Sequence, residues 1–164
     1  MKWRCPSCGF EEDDAPLCFG IEAPWRALAS DEEFASRVEL TADQCVVDGK
    51  TFFVRGHIEI PIHGHPEPLA FLVWSSLSEL SFEHMCDRWD AADRDRDPPY
   101  FGWLSSPIGV YPSTIHLKLS VQSRRPGLTP TCMVEPTEHP LSSDQRHGIS
   151  VERWHEIVHQ LRHG

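Results

Sequence analysis

Hydrophobic and polar residues alternate most clearly at two places in the chain. In Phe52–Ile62 one parity holds Phe52, Val54, Ile58, Ile60 and Ile62, with Gly56 as its gap, and the other holds Phe53, Arg55, His57, Glu59 and Pro61. Successive side chains of a strand point to opposite faces, so this pattern predicts a central strand with a buried isoleucine face and a mostly polar one. Thr114–Gln122 repeats the alternation, with Ile115, Leu117, Leu119 and Val121 set against Thr114, His116, Lys118, Ser120 and Gln122. It predicts a strand with one dry and one wet face.

The other elements follow from local signals. Asp48-Gly49 favours a tight hairpin, which pairs Cys45–Val47 antiparallel with Phe52–Val54. Leu69–Trp74 is apolar throughout and reads as a strand covered on both faces, and Thr131–Glu135 reads as a return strand after the Arg124-Arg125-Pro126-Gly127 turn. Ser30 and Glu33 form a capping box that predicts a helix of about two to three turns carrying Phe34 and Val38. Phe82, Met85, Cys86 and Trp89 have the spacing of a helix stripe, as do Val151, Trp154, Val158 and Leu161 after the cap at Ser150. A short capped turn is expected at 143–146, stopped by Gly148. Core packing is the better reading of the aromatic run Tyr100-Phe101-Gly102-Trp103-Leu104, with a ligand platform as its alternative. Together these elements give an α+β fold. A single domain over 1–164 is expected, with a mostly antiparallel sheet of about five or six strands flanked by about three helices. Residues 1–24 would form an irregular N-terminal segment packed on it.

Composition changes the picture in two ways. The net charge of −10, from 15 Lys+Arg against 25 Asp+Glu, and the lack of a long basic run argue against nucleic acid. An acidic surface more often means only solubility, with a basic protein partner as the alternative. Met1-Lys2-Trp3-Arg4 leads into Cys-Pro-Ser-Cys-Gly without an apolar stretch, and no apolar run approaches the roughly 20 residues that span a bilayer. The expectation is a cytoplasmic protein without membrane contact, whose six cysteines read as metal ligands or buried thiols rather than disulfides.

Cys5-Pro6-Ser7-Cys8-Gly9 carries the strongest chemical signal, because two thiolates two residues apart can grip one ion while Gly9 lets the backbone turn tightly beneath them. It is half of a structural zinc site in a knuckle-like turn. Further ligands would come from Glu12, Asp13, Cys18, Cys45 or a histidine; a redox pair and a bare turn with free thiols are the alternatives. On the central strand and the loop after it, His57, Glu59, His63 and His65 form a second candidate group. No nucleophile elbow, phosphate loop, dinucleotide fingerprint or His-Glu-x-x-His occurs.

Several segments together resemble a bacterial family of uncharacterised proteins, domain-of-unknown-function family 2199. They are Phe52-Phe53-Val54-Arg55-Gly56 with Ile58-Glu59-Ile60-Pro61, Trp74 with Ser76-Leu77-Ser78, Phe101-Gly102-Trp103-Leu104, and Glu135-Pro136-Thr137-Glu138-His139-Pro140-Leu141 with Gly148-Ile149. The resemblance implies Cys5, Cys8 and Cys45 as a matching ligand set, with Cys18 or Glu12 as the fourth. Glu12 stands where relatives have histidine. His63 and His65 have no counterpart, whereas His139 lies in a matching segment and becomes the candidate general base. The function expected is a non-enzymatic binding or interaction protein with structural zinc. The rival reading is a metal-dependent hydrolase using histidines near the central strand.

Overall fold

A computed structural model describes residues 3–4, 11–12 and 15–163. Among these residues the fold is a mixed α+β arrangement, with an eight-stranded sheet, a separate two-stranded ribbon and four α-helices. The strands are β1 (Trp3–Arg4), β2 (Glu11–Glu12), β3 (Cys18–Gly20), β4 (Val38–Leu40), β5 (Gln44–Val47), β6 (Thr51–Ile60), β7 (Leu69–Leu77), β8 (Tyr100–Leu104), β9 (Lys118–Gln122) and β10 (Thr131–Val134). The helices are α1 (Phe34–Arg37), α2 (Glu79–Asp87), α3 (Pro140–His147) and α4 (Val151–His163).

The long hairpin of β6 and β7 organises the sheet, with nine residue pairs from Phe52↔Leu77 to Ile60↔Leu69. From β7 the ladder runs through β8, β9 and β10 and returns to β6 by a parallel contact at Thr131↔His57, closing a five-stranded barrel. The sheet is mostly antiparallel as expected, but it has eight strands rather than five or six and is barrel-like. Strand β3 extends it beyond β7, and β5 and β4 extend it beyond β6. Two glycines permit the closure. A Cβ on Gly56 would stand 2.6 Å from Cys132 Sγ, and one on Gly102 would run into Ser75 Oγ and the Ser76 carbonyl. At each point atoms of the neighbouring segment fill the space a side chain would need.

Val54, Ile58 and Ile60 of β6 point inward beside Phe71, Val73, Leu119, Val121 and Val134, in one core shared with Phe82 of α2 and Trp154 and Ile157 of α4. The isoleucine parity is buried as its alternation predicts. The opposite parity is not simply wet. Phe53 joins Val38, Cys45, Val47 and Trp74 in a second apolar cluster on the outside of the barrel, roofed by Ala23, Trp25, Ala29 and Phe34.

Other expectations are corrected by the ladder. The capping box forms, with the Glu33 amide donating to Ser30 Oγ at 3.3 Å and the Ser30 amide to Glu33 Oε1 at 3.0 Å. Its helix lasts only four residues, because Val38–Leu40 leaves to pair with Cys45–Val47. The strand expected from Thr114 begins at Lys118, since His116 takes φ +69° and turns the chain. The short turn expected at 143–146 is part of an eight-residue helix beginning at Pro140. The Asp48-Gly49 hairpin is as predicted: both residues have positive φ, and Cys45 faces Phe53. Among the described residues no helix is long and apolar enough to cross a membrane.

Candidate functional site

One row of outward-facing residues crosses five strands, since Cys45 pairs with Phe53, Phe53 with Ser76, Ser76 with Trp103 and Trp103 with Lys118. The 23–34 segment covers the row's first half, so Cys45 and Phe53 are buried. Beyond Ser76 that cover ends. Trp103 is 41% exposed and its neighbour Phe101 49%, with their rings edge to face at 5.1 Å. The alternation of β8 buries Tyr100 and Leu104 and leaves these two aromatics outside, so the aromatic run is only half core.

A groove of about 450 Å³ opens there, with Trp103, Phe53, Leu28 and Ile115 as its apolar lining and Thr51, Ser76, Ser105 and His116 as its polar members. Its size and its mix of apolar walls with a few polar groups suit a ligand or a partner's side chains. The walls are fixed from behind. Arg37 donates to both carboxylate oxygens of Asp48 at 2.8 and 2.7 Å, to Glu33 at 2.7 Å and to the Leu28 carbonyl at 3.0 Å, which sets the Leu28 rim on the hairpin. The Arg37 hydrogen bonds hold the Asp48 carboxyl below its ordinary range. On the other wall the His116 amide donates to the Leu104 carbonyl at 2.7 Å, and its left-handed backbone turns Ile115 to the groove. The Lys118 ammonium lies 5.9 Å from the Trp103 ring centre. Sequence could have marked this site only through β8's alternation, in which Phe101 and Trp103 share a parity opposite to Tyr100 and Leu104.

The histidines do not gather. His57 is buried between Thr129 Oγ1, 3.0 Å from Nδ1, and Glu59 Oε1, 3.1 Å from Nε2. Burial, followed by the nearby Arg124 guanidinium, lowers its pKa while Glu59 opposes the shift. His63 uses Nε2 on the His147 carbonyl at 2.7 Å, and His65 Nδ1 meets the Glu67 main chain while its ring stands against Trp154. His139 caps α3. Its Nδ1 accepts from the Leu141 amide at 3.1 Å and its Nε2 lies 3.2 and 3.1 Å from the carbonyls of Pro112 and Ser113. The amide makes Nδ1 the acceptor and the carbonyls make Nε2 the donor, so both ring nitrogens are engaged in holding the chain. A general base needs a lone pair facing its reactant, and His139 has none to offer.

The metal expectation falls partly outside the described residues, where Cys5 and Cys8 lie, and Glu12 is described only as a member of β2. The strands that flank the Cys-Pro-Ser-Cys-Gly turn pair in register, Arg4 with Glu11 and Trp3 with Glu12. Cys18 is exposed on β3 opposite Ala70 of β7. Cys45 is fully buried at the other end of the hairpin, level with Ser76, and its apolar surroundings push its thiol up to about 11. Six residues of strand separate those levels, about 20 Å, so Cys18 and Cys45 cannot hold one ion. Among the described residues no group of three or more His, Cys, Asp and Glu side chains is placed to hold a metal.

A family model described as an uncharacterized protein conserved in bacteria (DUF2199) matches residues 4–149. No curated protein and no solved structure matches the chain.

Proposed function

The chain belongs to this uncharacterised bacterial family, and on that premise we propose that it is a non-enzymatic binding protein whose Trp103 groove receives an apolar side chain from a basic protein segment. The carrying observation is the uncovered half of an otherwise roofed apolar row. Leu28, Phe101, Trp103 and Ile115, four of the eight large hydrophobics exposed among the described residues, adjoin the groove or the smaller cleft beside it. Exposed apolar area gathered in one place marks interaction surfaces, whereas single exposed residues need no explanation. Aromatic anchors dominate such contacts. The net charge of −10 favours a cationic partner and speeds its encounter.

Zinc enters as a structural element of the N-terminal turn. Supporting this are the Cys5 and Cys8 spacing and the paired strands that flank it. Cys18, exposed and six residues after Glu12, suits the ligand set better than Cys45, whose apolar surroundings disfavour a thiolate. The ion would tie this segment down by binding the folded chain alone.

Calorimetric titration with two amphipathic peptides of matched apolar content, one rich in Lys and Arg and one in Asp and Glu, tests the groove. The basic peptide should bind, and Trp103→Ser should weaken it at least tenfold while leaving the melting temperature nearly unchanged. Equal binding of both peptides, or indifference to Trp103→Ser, would sink the reading. Metal analysis tests the second element: protein purified without chelator should hold one equivalent of zinc, lost in Cys5→Ser and Cys8→Ser and kept in Cys45→Ala.

A further inference from the structure

The last turns of α4 carry histidines four residues apart. His159 and His163 lie on one helix face with ring centres 5.2 Å apart, and with Glu156 and Gln160 they line a shallow cavity of about 380 Å³. Residues at i and i+4 stand one above the other on a helix, which is how paired histidines on one face grip a single ion in metal-binding helices. The spacing can be checked against coordination geometry. An ion about 2.1 Å from one nitrogen of each ring lies about 3.2 Å from each ring centre, and a tetrahedral angle then separates the centres by about 5 Å. The observed separation of 5.2 Å is of that size.

We propose that His159 and His163 form a surface chelate for a late first-row divalent cation, Zn²⁺, Ni²⁺ or Cu²⁺, the ions for which neutral imidazole is a suitable ligand. Two further features favour a cation here. The carbonyls at a helix C-terminus place partial negative charge on its last turn, where His163 lies. Glu156 stands at the cavity one turn earlier, its carboxylate 3.8 Å from Arg153 Nη1, and adds negative charge beside the two rings. His155, one turn before His159, is not a ligand, because its Nε2 is buried. With two protein ligands the ion keeps open positions, to be filled by water or by a donor from another molecule.

The test separates this site from the proposed N-terminal zinc. The full-length chain is titrated with Ni²⁺ at pH 7.5 while histidine imidazole resonances are followed by NMR. The His159 and His163 signals should broaden together at one equivalent. His159→Gln and His163→Gln, both surface changes, should each weaken this event at least tenfold, and the double variant should remove it. Cys5→Ser should leave it intact, so loss of the knuckle zinc and loss of this site are read separately. Lowering the pH to 5.5 should release the Ni²⁺, because protonated imidazole cannot ligate. Binding unchanged in both glutamine variants, or broadening centred on other histidines, would overturn the proposal.

Discussion

A methyl group at Gly102 would meet Ser75 Oγ and the Ser76 carbonyl, and one at Gly56 would meet Cys132 Sγ and the Pro130 carbonyl at 2.9 Å. Neither backbone can give way without opening a strand pair of the barrel. Gly102→Ala and Gly56→Ala should each cost about 3 kcal/mol, the upper end for overpacking a filled site. Urea unfolding checks this, and a loss below about 0.5 kcal/mol in either variant would mean that the strands part more easily than the close approaches imply. His57 ties stability to pH. Burial and the Arg124 guanidinium hold its pKa below the ordinary histidine value of about 6.5, so the unfolded chain takes up the proton first as pH falls. The stability it contributes is complete above that value and is lost as pH drops through the window beneath it. Between pH 7.5 and 5.5 the wild type should therefore lose more stability than His57→Gln, whereas equal losses would remove His57 as the cause. Gly56 was legible as a gap in a strand pattern; the burial of His57 was not, because the loop that covers it lies more than sixty residues downstream.

At the scale of elements, local signals were read correctly wherever local chemistry decides the outcome. Asp48-Gly49 and Ser150 before α4 act as the turn and the cap their residue types suggest. They failed where a ladder competes. The Ser30 and Glu33 box starts a helix, yet β-branched Val38 leaves it after one turn for a strand partner that only the folded chain supplies. Arg94 is another long-range element that pattern reading missed. Its guanidinium is buried over Trp89 and donates to the carbonyls of Trp89, Arg124, Arg125 and Leu128, pinning the turn between β9 and β10. Arg94→Met should leave four part-buried carbonyls without their donor and cost about 3 kcal/mol. Amide exchange should rise first in residues 123–130, and uniform destabilisation without local opening there would contradict the pinning role.

For the whole molecule, the alternation in β6 and β9 revealed strands and their inner faces but not that the sheet closes. Closure depends on the parallel contact between Thr131 and His57, a pairing between segments 74 residues apart that neither sequence advertises. The groove was hidden for the same reason. Trp103 and Phe101 look like core until the neighbouring strands and the 23–34 roof are in place, and only then does the row from Cys45 to Lys118 prove to be half covered. Cys45, His57 and His139 are held in packing and hydrogen bonds, whereas aromatic surface stays open at Phe101 and Trp103. That contrast is why binding, rather than hydrolysis, is the reading advanced for it. The most direct measurement is an NMR titration of protein labelled at its tryptophan indoles, using the basic amphipathic peptide. The Trp103 indole signal should move first and furthest, with buried Trp74 and Trp154 nearly still. A Trp103 signal that stays in place while the peptide binds would contradict the account.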